Sequence, residues 1–186
     1  NINGEKVPAT CRKVITQNTA FGPKTLNIYV ADNCWYSTGS KTYNISQKMV
    51  DELGNQFLKN GLNNDIYDWT TTIIGQEWGT ANNNYFIENN NNITIFLTDI
   101  FEDDSLTDGY AGYFWSLHNY KNSPLVQLPS TSNERVMFFI DAVMFAKEDG
   151  DSWEITDSNP NFTISSLVHE FQHMIHWNQD RNETTW

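Results

Sequence analysis

The chain has 186 residues, of which 39% are hydrophobic and 14% aromatic; this suits one domain with a substantial core and excludes a largely disordered chain. The formal net charge is −12, and because so acidic a protein repels phosphate backbones and anionic lipid, nucleic acid and charged membrane surfaces are poor partners. No apolar run approaches the roughly 20 residues that are needed to span a bilayer.

The N-terminus and the cysteines favour an exported protein. The chain begins at Asn1 without Met, as a mature protein does after its leader is removed, although a trimmed fragment would begin in the same way. Cys11 and Cys34 predict either a disulfide or two buried thiols. The many Asn, Ser and Thr residues and the scarce Lys favour the disulfide and a secreted or cell-surface location.

The first half of the chain predicts a strand followed by helices. Residues 25–31 alternate apolar and polar side chains and are rich in β-formers, which is typical of a strand. Ser46 precedes a helical apolar pattern, so we expect a capped amphipathic helix that Gly61 ends. Residues 65–78 predict a weaker helix, and the Asn-rich residues 82–92 predict an exposed loop.

The second half predicts strands and then one long helix. The apolar run at 93–100 suits a central strand, and the glycine-punctuated aromatic run at 109–116 suits an edge strand. Residues 134–145 indicate a strand, or a strand that passes into a short helix. The dipeptide Asn159-Pro160 supplies a cap and a preset first residue for a final helix over about 161–179. This order of elements predicts an α+β fold with a mixed β-sheet covered by helices.

The final helix contains an H-E-x-x-H motif, within the segment LVHEFQHMIHW at 167–177. His169 and His173 are four residues apart, so their imidazoles lie on one helix face and can bind one divalent ion, with Zn²⁺ favoured by nitrogen ligands. Glu170 is rotated by about 100° from His169 and can act as the general base on a water molecule. The alternative is a chance motif on a core helix, but burying these polar groups without partners would be unfavourable.

The third metal ligand is not evident from the motif. His176 falls on the same helix face as His169, but about 10 Å along the axis, so one regular helix cannot bring all three histidines to one ion. The metzincin pattern would need Gly at position 176 and His at 179, and the chain has His176 and Gln179 instead. We therefore expect His176 to support or pack. Glu183 is a weak candidate, because the chain after His173 is barely long enough to return an antiparallel helix.

Two further features could bind ions or substrate. The acid-rich loops at 101–109 and 147–157 could bind Ca²⁺, but neither has the spacing of an EF-hand, and solvated acidic loops are favoured. His118 follows the predicted edge strand and could be an oxyanion donor, although a surface position is favoured.

The chain resembles the hyicolysin-like family of bacterial zinc metallopeptidases, which belongs to the gluzincin group of zincins. The matching segments are DNCW (32–35), NDIYDWTTTIIGQEWG (64–79), IFLTDI (95–100), GYFW (112–115), SNERVMFFID (132–141) and HEFQHMIHW (169–177). The resemblance implies that residues 1–186 form a single zincin-like domain, an N-terminal subdomain that ends with the H-E-x-x-H helix. It also implies His169 and His173 as zinc ligands and Glu170 as base.

The resemblance carries two further expectations. In this family a segment similar to ETTW at the end of the chain is followed by a helix with the third zinc ligand, a Glu; this implies a C-terminal subdomain of the same enzyme beyond Trp186. Zincin edge strands pair with extended substrate, so Gly112, Tyr113 and Phe114 are implied as substrate-binding residues, with plain packing as the alternative.

These features together predict a secreted zinc-dependent endopeptidase that acts on protein or peptide substrates. Two alternatives remain open: a non-catalytic or truncated surface binding module with a zincin fold, and an aminopeptidase that uses the same two histidines and glutamate.

Overall fold

The computed structural model describes residues 6–59, 65–79, 84–88, 91–107, 109–123 and 131–181. The strands are β1 (Ala9–Thr19), β2 (Gly22–Ala31), β3 (Asn92–Thr98), β4 (Gly112–Phe114) and β5 (Met137–Asp141). The α-helices are α1 (Gln47–Phe57), α2 (Ile66–Ile74), α3 (Ala142–Ala146) and α4 (Ser158–Gln179). None of the described helices is long and apolar enough to cross a membrane.

The strands form one mixed five-stranded sheet in the order β1-β2-β3-β5-β4. β2, β3 and β5 run parallel, and the two outer strands pair antiparallel with their neighbours. The continuous apolar runs of β3 and β5 follow from this arrangement, because a central parallel strand is covered on both faces. The predicted α+β fold, the central strand at 93–100 and the edge strand within 109–116 are confirmed.

The helices pack on one face of the sheet around aromatic side chains. Phe138 of β5 contacts Phe57 of α1 and Phe171 of α4, with ring centroids 5.7 Å and 6.2 Å apart. The neighbouring Phe139 points to the other face, where it stacks on Tyr113 at 4.4 Å. α4 thus lies across the sheet with one side in the core.

The helix boundaries differ from the predictions by a few residues. Ser46 caps α1 as predicted, by accepting a hydrogen bond from the Met49 N–H, but the helix ends at Phe57, and Gly61 lies outside the described residues. α4 begins at Ser158, so Pro160 lies in its first turn, where a missing N–H costs no helical hydrogen bond. Residues 137–146 form a strand that passes into a short helix, one of the two alternatives above.

Three features of the N-terminal half and the Asn-rich loop were not expected. β1 escaped prediction because a bulge between Cys11 and Lys13 shifts its register and disturbs the apolar alternation. The disulfide prediction is wrong, because both cysteines are free: Cys11 is half-buried on β1, and burial raises the pKa of the Cys34 thiol to about 11. Within the Asn-rich loop, Phe86 and Ile87 are buried rather than exposed.

Candidate metal centre

α4 presents its histidines on the side opposite to the core. Leu167, Phe171 and Met174 are fully buried against the sheet and the other helices. His169 is exposed, and Glu170 and His173 are half-buried. The 3.6-residue repeat therefore places the apolar positions in the core and the H-E-x-x-H side chains at an open surface.

The two imidazoles face each other nitrogen to nitrogen. His169 Nε2 lies 2.9 Å from His173 Nε2, and the potential ligand atoms of His169, Glu170 and His173 all lie within 4.8 Å of one another. Two nitrogens bound to a tetrahedral Zn²⁺ would be about 3.3 Å apart at the usual Zn–N distance, so a small opening of the pair would accept the ion. The residues fit a zinc ion with two nitrogen ligands.

The protonation of His173 favours metal binding. Burial, together with the nearby charges of His169 and His176, lowers the pKa of His173 below its ordinary value. A lower pKa keeps the imidazole neutral at physiological pH, which is the form that coordinates metal.

Glu170 lies between the histidines and the edge strand β4. Its Oε2 accepts a hydrogen bond of 2.8 Å from the Phe114 backbone N–H. Burial raises the pKa of the Glu170 carboxyl, and the Phe114 N–H and His169 oppose that rise. A carboxylate held in this way by one oxygen is fixed in orientation, with the other oxygen available for proton transfer.

The orientation of β4 follows from its pairing with β5. The Ala111 carbonyl accepts the Asp141 N–H at 2.9 Å, so by antiparallel alternation Ala111 and Tyr113 direct their backbone groups toward β5. The backbone N–H and C=O groups of Gly112 and Phe114 point away from β5, toward the side on which Glu170 lies. The Tyr113 ring stacks on Phe139 at the other face of the sheet, away from the histidines.

An aromatic cluster at the C-terminal end of α4, which the sequence reading did not identify, holds the helix in place. Trp177 stacks on Trp78 with ring centroids 5.7 Å apart, and Phe86 meets both rings edge to face. The Arg181 guanidinium lies over the rings of all three. The high aromatic content was the only sequence signal for this cluster, since its members are far apart along the chain.

The other candidate residues are not brought to the histidines. His176 is not part of the His169, Glu170 and His173 group, which is the only cluster of three or more potential metal ligands among the described residues. Glu183 lies outside the described residues.

His118 is buried, with 2% of its surface exposed, so the prediction of a surface position is wrong. Its ring lies between Trp115 and Phe139, its Nδ1 accepts the Asn133 N–H, and burial lowers its pKa to about 4. The aromatic neighbours on both sides explain why this loop histidine turns inward.

Among the described residues, no three carboxylates of the two acidic loops lie close enough together to hold one ion. The Asp104 carboxylate accepts hydrogen bonds from the N–H and hydroxyl of Thr42. The nearby Asp99 pairs with the Lys41 ammonium at 2.6 Å, which already supplies a cation. Ca²⁺ binding therefore remains a prediction without structural support.

Comparison with known proteins bears on the same residues. No curated protein and no solved structure matches the chain. A family model described as Peptidase M30 matches residues 6–174, a span that includes β4 and the H-E-x-x-H motif. M30 is the hyicolysin family of metallopeptidases, so the predicted family is confirmed, while the gluzincin subgroup stays a prediction. The match spans the sheet, the edge strand and the paired histidines alike, and the chain therefore belongs to the peptidase M30 family.

Proposed function

We propose that the chain is the metal-bearing part of a secreted or cell-surface zinc endopeptidase of the gluzincin type. The observation that carries the proposal is the 2.9 Å approach of His169 Nε2 to His173 Nε2, with Glu170 held beside them by β4. A peptidase family, two facing imidazoles and an adjacent half-buried carboxylate together favour hydrolysis of peptide bonds.

In this proposal each residue has a distinct role. His169 and His173 would hold Zn²⁺ through the Nε2 atoms that face each other. A Zn²⁺ ion held there would supply Lewis acidity, which polarises a carbonyl and lowers the pKa of water. Glu170, held at Oε2 by the Phe114 N–H, takes a proton from the attacking water at Oε1 and delivers it to the leaving amine.

A third protein ligand completes the proposed zinc site. Catalytic zinc sites have three protein ligands, and among the described residues only His169, Glu170 and His173 lie together. We propose that a Glu from a C-terminal part of the same enzyme supplies the third ligand, as the gluzincin assignment implies.

Peptides with blocked and with free N-termini distinguish an endopeptidase from an aminopeptidase. An aminopeptidase needs an acidic anchor for the free amine of its substrate. Of the described residues that line this groove, only Glu170 is acidic, and it is assigned as the base. The proposed endopeptidase should cleave peptides with blocked N-termini as well as peptides with free N-termini, whereas an aminopeptidase should cleave only the free ones.

The test is Glu170→Gln in the full-length enzyme. We expect casein hydrolysis to fall by at least about 100-fold, because a general base contributes roughly that much, while zinc content stays near one per chain. Glu154→Gln, at an exposed glutamate, is the matched control and should keep full activity. Unchanged hydrolysis in Glu170→Gln would refute the assignment, and a zinc-loaded enzyme that cleaves no peptide would favour the binding module.

A further inference from the structure

An open groove of about 430 Å³ extends from the paired histidines toward the N-terminal half of α4. One wall is the segment that leads into β4, and the other is the exposed side of α4. The residues that line the groove include Tyr110, Gly112, Phe162, Ser165, Ser166 and His169. The groove is continuous with the candidate metal centre, since His169 and Glu170 form one end of it.

The edge of β4 determines how an extended peptide enters this groove. Gly112 and Phe114 direct their backbone groups outward, but Glu170 already accepts the Phe114 N–H. A peptide that adds to β4 therefore pairs at Gly112. Residues 110–112 form one wall of the groove. A peptide that pairs at Gly112 therefore runs along this wall toward Tyr110 and not past Phe114.

Each wall of the groove carries a large, exposed apolar side chain. Tyr110 is 62% exposed and Phe162 is 55% exposed, which is unusual for large apolar side chains on facing walls. The Ser165 and Ser166 hydroxyls donate to the carbonyls of Asn161 and Phe162 in their own helix, so these donors are turned away from a ligand.

A glycine supports the Tyr110 wall. Phe101 packs against Tyr110 with ring centroids 5.5 Å apart. Gly109 has φ +93°, and a Cβ atom there would lie 2.5 Å from the Phe101 ring. Only glycine combines this backbone conformation with this packing, so the pair of aromatic rings is held beside the groove.

We propose that this groove is a subsite for a large apolar side chain of the peptide substrate, bound between Tyr110 and Phe162. The inference rests on the proposed endopeptidase function and adds that the enzyme selects peptides with a large apolar side chain. Phe162 precedes His169 by two helical turns, about 10 Å, which equals about three residues of extended peptide. The selected side chain therefore lies within about three residues of the scissile bond.

A binding measurement tests the subsite without catalysis. The zinc-loaded full-length Glu170→Gln enzyme is titrated with end-blocked fluorescent decapeptides of Ala and Ser that carry one Phe, moved along the peptide. We expect one or two Phe positions to bind at least about tenfold tighter than the peptide without Phe, by fluorescence polarisation. Phe162→Ala and Tyr110→Ala should each remove this gain.

Two further variants make the result specific. Phe21→Ala removes an exposed aromatic side chain at the turn between β1 and β2, and it should keep the gain. Phe162→Leu retains an apolar wall and should keep most of the gain, which separates loss of the subsite from loss of folding. No gain at any Phe position, or a gain that survives both Phe162→Ala and Tyr110→Ala, would overturn the subsite.

Cleavage of the same peptides by the enzyme with Glu170 intact tests the proposed function separately. Phe-dependent binding without cleavage would overturn the endopeptidase and leave the groove as a peptide-binding site. Cleavage without any dependence on Phe would overturn the subsite and leave the endopeptidase.

Discussion

Gly112 determines how closely the edge strand β4 approaches its neighbour β5. A Cβ atom at this position would lie 2.9 Å from the Phe139 carbonyl oxygen and 3.4 Å from Glu170 Cγ. The first distance is too short for any side chain, so a larger residue would displace the strand. The Phe114 N–H, two residues further along β4, would then move relative to the Glu170 carboxylate that it holds.

Gly112→Ala should therefore lower the peptidase activity of the enzyme. We expect kcat/KM to fall by about 100-fold, because a misplacement of about 1 Å in a catalytic group has an effect of that size. Zinc content should stay near one per chain, since neither histidine is touched. The control is Gly150→Ala, where a Cβ atom would meet nothing within 4 Å. Equal activity in both variants would show that Gly112 does not position Glu170.

At the scale of elements, the segment that follows α2 links β2 to α4. The Lys24 ammonium of β2 lies 2.5 Å from Glu77 Oε1, and the Tyr67 hydroxyl of α2 donates to Glu77 Oε2 at 2.9 Å. Next to Glu77, Trp78 stacks on Trp177 of α4. The charges are buried, with the Lys24 and Glu77 side chains 7% and 1% exposed, so their pairing is needed to keep either one inside.

Lys24→Met should destabilise the protein, because it leaves the Glu77 carboxylate buried without its cation. We expect the free energy of unfolding, measured in urea, to fall by about 3–5 kcal/mol. Lys24→Met combined with Glu77→Gln should recover part of this loss, since the unpaired charge is gone. Lys48→Met is the control: its ion pair with Glu154 is 51% and 57% exposed, and its loss should cost at most about 1 kcal/mol. A loss of similar size in both single variants would contradict the prediction.

At the scale of the whole molecule, two buried groups give stability opposite dependences on pH. The pKa of His118 is lowered from 6.5 to about 4 by burial, so the unfolded chain binds its proton more tightly and stability falls as pH drops from 6.5 to 4. The pKa of Asp141 is raised from 3.8 to about 6, chiefly by burial. Its contribution to stability is present at low pH and is lost as pH rises through 6.

His118→Asn should weaken the acid sensitivity of the metal-free protein. The histidine accounts for a loss of about 3 kcal/mol in the free energy of unfolding between pH 6.5 and 4, and Asn retains an acceptor for the Asn133 N–H. Urea unfolding at several pH values should show a smaller fall in the variant. The same fall in the variant and the parent would show that His118 is not the group responsible.

The number of zinc ligands within the chain can be measured directly. We expect the 186-residue chain alone to bind zinc weakly and to cleave casein poorly, because His169 and His173 supply only two of three ligands. Competition with a chelator gives the Kd. Nanomolar affinity would instead mean that His176, Asp180 or Glu183 completes the site.

The features that can be predicted from the sequence are those that depend on short-range interactions. Strand β3 is predictable because a continuous apolar run indicates burial on both faces of a sheet. Helix α1 is predictable because Ser46, next to it in sequence, caps it. β1 is not predicted because a bulge disturbs the alternation of its apolar and polar residues. The burial of His118 is not predicted because its neighbours Trp115 and Phe139 come together only in the folded protein. The free cysteines were misread because composition carries no information on the distance between two thiols.

The sequence by itself determined the fold class and the pairing of His169 with His173, because residues four apart meet on any α-helix. Only the tertiary structure decided what surrounds that pair. Glu170 and Phe114 are 56 residues apart in sequence, and their hydrogen bond exists because α4 packs against the edge strand β4, which Gly112 allows to pair closely with β5. The groove between Tyr110 and Phe162 has the same origin. Helix periodicity is a local property, whereas the approach of a helix to a sheet depends on the packing of the whole core.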